Sequence, residues 1–535
     1  MAESAVINSD VNEEVSVEIA EKRVFTNLEK IYAFVIMVLA FLWVQFQIFN
    51  PTGFITSAVN IGIITASVVF LKKQNCKFSP LNRVITAVLY AFSLVFSITD
   101  NGLIKFLTGV FLFVAGAYLV YSVAEGKKEI EKFLPIALVK AVFEFPLSDF
   151  KAEPAAVKST IGESKSAGNI KYIFLGLLFT IPVTLVVANL LISADAGMES
   201  FMNSIFTNAF SQNGFEYILH FIISLPCGFY LYGMLTANCN RENLNVLSVN
   251  KCSFTIETAK AIPNMILYAA ITPILLLYVI FFFSQCSYFL SAFSGNLPEG
   301  YSYSEYARRG FFELCGVTVI NLGIITFISF LAQKGGKNKP AALKFYTLSL
   351  CFSTIILIAV AISKMVMYIS EYGLTRLRFY TMWFMLLCGF MFVLIIVKQF
   401  RFDMKFSAWF SGIFTAMFAL LCFCSPDFVI AKYNIDMYKA GYLAELDTRA
   451  ILDMSDDAIL YGVQQGEIEL KQAYENSLRY EDELTNYLNI PALILHEKLA
   501  DAEFASDDET QNGWDYSKRQ NLLAFAICRS ARSKL

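Results

Sequence analysis

Apolar residues run through this chain in long, nearly unbroken stretches, and the polar positions collect between them. Eleven stretches approach the roughly 20 residues that a helix needs to cross a hydrocarbon layer. They are 31–49, 53–71, 81–98, 106–124, 172–193, 217–236, 265–287, 314–331, 345–370, 379–397 and 406–424. The second and third are the most diluted by polar positions. The pattern predicts an all-α fold, a polytopic transmembrane helix bundle of about eleven spans. Residues 1–30 are polar and acidic, and the run after them lacks a small-residue cleavage site, so the first stretch is expected to be a true span.

Composition agrees with the pattern. The chain is 56% hydrophobic and 16% charged, against roughly 25% charged in soluble proteins, and its mean hydropathy is +0.54. The net charge of −3 offers no basic excess to suggest nucleic acid. The distribution of charge says more. If alternate connections face one side, that side holds 25 basic residues, counting Arg83 in the first turn of the third span. The other side holds five: Lys105, Arg308, Arg309, Arg376 and Arg378. By the positive-inside rule the amino terminus is cytoplasmic and the segment after the last span lies outside.

Two regions do not read as spans. Residues 125–171 form a cytoplasmic connection whose first half, 130–145, is apolar enough to lie along the membrane surface. From Pro154 through the Ser- and Gly-containing run at 161–169 it reads as a flexible tether. Residues 425–535 carry 20 acidic and 11 basic side chains. Apolar residues at three-to-four spacing in 446–465 and 470–488 predict helices there, with Asp447 as an N-cap, so a small, acidic, helical outer domain is expected.

Polar groups in or beside spans gather toward the outer side. Asp195 closes the fifth span, and His220 lies one turn inside the sixth. If 301–313 is helical, Glu305, Arg309 and Glu313 form an i, i+4 ladder, with Arg308 pointing elsewhere. Lys364, Tyr368 and Glu371 share a face of the ninth span. Lys364 can snorkel to the outer headgroups or pair internally with Glu371 or Glu313. Gly373 can stop that helix and Thr375 can cap the next. Arg376 and Arg378 then occupy a first turn, where the macrodipole disfavours cations. A compensating anion is expected: lipid phosphate, Glu371, the acidic tail or a ligand.

Recognisable catalytic motifs are missing. Two histidines, His220 and His496, cannot build a multi-His metal site, and no Walker loop, G-x-G-x-x-G or G-x-S-x-G stretch occurs. No metal and no cofactor is expected. The pair Asp456 and Asp457 after Ser455 reads as an N-cap and first turn.

Three stretches carry a resemblance. They are Tyr-Ser-Glu-Tyr-Ala-Arg-Arg-Gly-Phe-Phe-Glu-Leu at 303–314 and Tyr-Gly-Leu-Thr-Arg-Leu-Arg-Phe-Tyr at 372–380. The third is Ser-Pro-Asp-Phe-Val-Ile-Ala-Lys-Tyr-Asn-Ile at 425–435, followed by Leu446, Asp447 and 454–458. In this order they resemble motifs of bacterial multi-pass membrane proteins grouped as a domain of unknown function (4153/4173 type). Ser425 stands where the usual pattern has Asn, and Met454 where it has Leu. The likeness covers roughly residue 172 onward; it implies no activity, and it singles out Arg308, Arg309, Glu313, Arg376 and Asp427.

Two functions remain open. The first is a non-enzymatic envelope sensor, scaffold or transporter-like protein whose outer cluster meets the bilayer and an anionic headgroup or small anionic ligand. The second is a membrane-embedded transferase acting on lipid-linked sugars or phospho-groups. A transferase of that topology usually carries an acid in a substantial first outer loop, and here that loop is 50–52, without one. Asp195, Glu305 and Glu371 would then have to serve instead.

Overall fold

A computed structural model describes residues 25–49, 53–130, 134–162, 212–240, 263–294, 303–331, 340–401 and 403–468. Among these residues there is no strand. Within the described residues ten helices are long and apolar enough to cross a membrane. They are α1 (Asn27–Phe49), α2 (Phe54–Lys73), α3 (Pro80–Ile98), α4 (Gly102–Ala124) and, after two helices of the 125–171 connection, α7 (Gln212–Cys239). Then follow α8 (Asn264–Ser294), α9 (Tyr303–Leu331), α10 (Ala341–Tyr372), α11 (Arg376–Phe400) and α12 (Phe406–Phe423). Large apolar side chains such as Phe106, Met265, Ile280 and Phe283 stay exposed on the outside of the bundle, as hydrocarbon contact requires. The expected span 172–193 lies outside the described residues.

The helices pack in two groups. Residues of α1–α4, α7 and α12 share one core, and those of α8–α11 share another, with Phe379 on α11 packed against both. Within the second group a buried polar string crosses the apolar interior. Tyr278 on α8 donates to Asn321 on α9 (2.7 Å), and Asn321 donates to Thr354 on α10 (2.8 Å). Each of these groups would otherwise be unsatisfied where no water competes.

The ends of the spans sort onto two faces. At one, Ser57 at the start of α2 meets Ser97 at the end of α3, and Asn101 before α4 reaches the residues around Arg376 and Asp427. At the other, Glu129 beyond α4 pairs with Lys405 beyond α11, and Asn240 beyond α7 reaches Glu29 at the start of α1. α4 therefore ends at one face and α7 begins at the opposite one, where His220 meets Gln45 near the end of α1.

The 125–171 connection departs from the sequence reading. Residues 134–148 are helical throughout (α5), with a π-helical turn at Lys140–Glu144. Ala152–Gly162 (α6) is helix where the composition predicts a tether from Pro154 onward. Proline is tolerated in a first helical turn, and Ala152, Glu153 and Ala156 are buried against the bundle. Tertiary burial thus outweighs the linker-like composition. The run at 163–169 lies outside the described residues.

Past α12, three short helices follow: α13 (Pro426–Lys439), α14 (Thr448–Leu452) and α15 (Asp456–Gln464). The sequence pattern did not separate α13 from its surroundings, and it read 446–465 as one helix. The chain instead breaks at 453–455, where Ser455 starts α15 and turns its N–H toward Asp427. Asp447 caps α14 as expected, accepting from Ala450 N–H at 2.9 Å. The expected helix at 470–488 lies outside the described residues.

Candidate functional site: a polar junction at one face

The turn joining α10 to α11 is built residue by residue from its sequence. Gly373 stops α10 with φ +74° and ψ 176°, a conformation that only glycine adopts without strain. Its N–H bonds Ile369 O at 2.8 Å. Thr375 caps α11, accepting from Arg378 N–H. Asn434 on α13 clamps the turn from the side. Its Oδ1 accepts from Leu374 N–H (2.7 Å), and its Nδ2 donates to Leu374 O (2.8 Å). A Cβ at Gly373 would lie 2.8 Å from Asn434 Oδ1. Gly373→Ala is therefore expected to lower stability by about 2 kcal/mol through the glycine-only backbone geometry alone, and by more once the clamp is displaced. Thermal unfolding of the detergent-solubilised protein measures it.

The two arginines of that turn find their anions inside the protein. Arg376 forms a two-pronged pair with Asp427, Nε to Oδ1 at 2.9 Å and Nη2 to Oδ2 at 2.7 Å. Asp427 is 1% exposed and lies in the first turn of α13, behind Pro426, where the helix dipole favours an anion. Its Oδ2 also accepts from Asn101 Nδ2 (3.0 Å) and from Ser455 N–H (3.1 Å). Asn101 Nδ2 also donates to Tyr380 Oη at 2.9 Å, and its Oδ1 accepts from Ile104 N–H to cap α4. One carboxylate thus joins the α3–α4 connection, the α10–α11 turn and the break between α14 and α15. Arg378 turns back instead. It donates to the carbonyls of Tyr372 and Gly373, which α10 leaves open at its end, and lies 4.0 Å over the Tyr368 ring.

Around this centre lies a second layer of charge. Lys105 pairs with Asp100 at 2.8 Å. Asp456 is pushed up to about 7, first by burial and then by Asp100 and Asp457, with Lys105 opposing. Burial also raises Asp457, against hydrogen bonds from Ser455 and Ser425 that favour its ionised form.

The other candidates distribute as follows. Lys364 is buried in the bundle, with Glu313 on α9 the acid whose charge reaches it, while Glu371 is exposed. Burial at that position disfavours the snorkelling alternative. His220 is 7% exposed, bonds Gln45 Oε1 through Nδ1, and stacks on Phe49 with 3.9 Å between ring centroids. It ties α7 to α1, away from the Asp427 junction. Glu305, Arg308 and Arg309 lie on α9; their side chains, and all of Asp195, lie outside the described residues. Among the described residues no three His, Cys, Asp or Glu side chains converge as a metal-holding group.

Asn101, Asn434 and Tyr380 were not singled out by the sequence, and Ser455 was read only in the N-cap and first turn with Asp456 and Asp457. Their one visible signal was position. Asn101 ends the polar run Thr-Asp-Asn just before an apolar stretch, and the other three lie within the stretches that carry the family resemblance.

The apolar helices and the polar junction at their ends define a multi-pass α-helical membrane protein. The chain belongs to the family described as domain of unknown function DUF4153, whose match spans residues 86–465. That match starts inside α3, earlier than the resemblance suggested. The junction gives a physical reason, because Asn101 is one of its parts. No curated protein and no solved structure matches the chain.

Proposed function

We infer that this protein is a non-enzymatic component of a bacterial cytoplasmic membrane, a sensor or scaffold whose outer helices are seated on the bundle through Asp427. The observation that carries this reading is the sharing of one buried carboxylate by Arg376, Asn101 and Ser455. A displacement of the segment after α12 must be felt at both helix groups, because its anchor belongs to both. Arg376 and Arg378 each commit two hydrogen bonds to the protein itself. An anionic headgroup or small anionic ligand would therefore meet Arg308, Arg309 and the solvent side of Arg376, with Glu313, Lys364 and Glu371 setting the local field.

Two experiments test this. In a cysteine-free background, a membrane-impermeant thiol reagent applied to intact cells is expected to label Tyr442→Cys and not Glu129→Cys. These exposed positions stand at opposite faces of the bundle. The reverse pattern overturns the orientation. In a strain lacking the gene, Arg309→Gln and Glu371→Gln are expected to insert normally and fail to restore the envelope phenotype. Full rescue by both sinks the outer-face reading.

A further inference from the structure

The 125–171 connection carries a carboxyl that the junction does not use. Glu153, in the first turn of α6, is 0% exposed, and neither of its oxygens has a hydrogen-bond partner among the described residues. Its position in the bundle is set by two contacts around Gly228 on α7. A Cβ on that glycine would lie 3.0 Å from Glu153 Oε2, 3.4 Å from Oε1 and 3.5 Å from Met37 Sδ on α1. Met37 is the eleventh residue of the 23-residue span Asn27–Phe49, and Gly228 the tenth of the 21-residue span Leu219–Cys239. The carboxyl therefore stands level with the middle of two spans, about 15 Å of helix rise from either end, although its own helix belongs to a connection.

Among the described residues nothing offsets the desolvation of an ionised carboxylate at that depth. The titratable groups on the two helices packed against it are otherwise engaged. Glu29 is held by Thr26 and Asn240, Tyr232 donates to Glu29 O, and Tyr230 donates to Val142 O. Cys227 and Tyr32 bring no positive charge, His220 is bonded to Gln45, and among the described residues no lysine or arginine, Lys30 of α1 included, acts on the carboxyl. A carboxyl kept only as a structural hydrogen bonder would be expected to bond something. Glycine at 228 leaves the space that the two oxygens fill. The surrounding backbone is also broken in ways that permit movement. Pro226 lies inside α7 two residues away, a π-helical turn lies within α5 at Lys140–Glu144, and α1 ends in another at Val44–Phe49. Interrupted helices around a mid-depth polar group are the arrangement through which membrane proteins handle ions.

We propose that Glu153 is an intramembrane proton-binding site, protonated while α6 is seated against Gly228 and able to release that proton when α6 or α7 shifts and water reaches the carboxyl. The step is a simple exchange, Glu153 carboxylic acid to carboxylate plus a proton, and needs no other reactant. It is independent of the role inferred for Asp427.

Infrared difference titration of the full-length protein in lipid tests it. Subtracting the Glu153→Gln spectrum from that of the native protein is expected to leave the carbonyl stretch of one protonated carboxyl at pH 6. That band should shift in heavy water and disappear with a midpoint near pH 8. The Gly228→Ala protein retains every titratable group and crowds only the cradle, so its midpoint is expected to move while the band persists. A difference spectrum without the band at pH 6 overturns the proposal. So does a band titrating at the ordinary carboxyl value, or a midpoint indifferent to Gly228→Ala.

Discussion

Arg376→Ala is expected to be the most damaging single substitution at the polar junction, and worse than Asp427→Asn. The asymmetry follows from exposure, since the Asp427 side chain is 1% exposed and that of Arg376 41%. Removing the guanidinium leaves a buried carboxylate with only Asn101 Nδ2 and Ser455 N–H, an uncompensated charge costing about 3 kcal/mol or more. Neutralising the carboxylate leaves a half-exposed arginine that can turn to water, at a cost of about 1–2 kcal/mol in lost hydrogen bonds. The double variant should therefore recover part of what Arg376→Ala loses. Thermal unfolding in detergent and steady-state abundance in membranes measure all three. If Arg376→Ala unfolds like the native protein, the arginine is free for a ligand and the junction is not what holds the helices after α12. If Asp427→Asn proves the more harmful, the buried charge is not the controlling term.

The same geometry explains which parts of the molecule the chain announces in advance. Apolar runs of span length are a coarse signal, because every lipid-facing residue contributes, and all ten described spans begin or end within a few residues of the runs read from the sequence. Turn chemistry was legible wherever a single residue type is demanded. Gly373 stops α10 with a positive φ, and Thr375 and Asp447 accept from the N–H groups of the helices they precede. The compensating anion for Arg376 was expected among four candidates and came from the acidic tail, as Asp427. What periodicity could not convey is pairing between residues far apart in sequence. Asn101 meets Asp427 across 326 positions, and nothing near either residue encodes that meeting. Glu153 was obscured for a different reason. An Ala-Glu-Pro-Ala-Ala run reads as solvated linker, and only the packing of α6 against Gly228 and Met37 turns its carboxyl into a buried one.

Substituting Glu153 is expected to change the pH dependence of stability as well as its level. Burial pushes this carboxyl from an ordinary 4.5 up to about 8, so between those values the folded protein holds a proton that the unfolded chain has released. Stability of the native protein should then fall as pH rises from about 4.5 to about 8 and level off above that, because the folded state binds more protons throughout that window. Glu153→Gln removes the titration. Its amide still carries a desolvation cost, but one that does not vary with pH, so the variant's melting temperature should gain steadily on the native protein's toward pH 8. Asp456, raised to about 7, contributes a slope of the same sign that ends a unit earlier. Asp456→Asn therefore serves as the comparison: it should make the fall below pH 7 shallower and leave the part of the fall that Glu153 contributes. Melting curves at half-unit intervals from pH 5 to 9 resolve the two. A native profile with no fall between pH 5 and 8, or a fall of the same size in Glu153→Gln, would show that this carboxyl does not hold its proton in the folded protein.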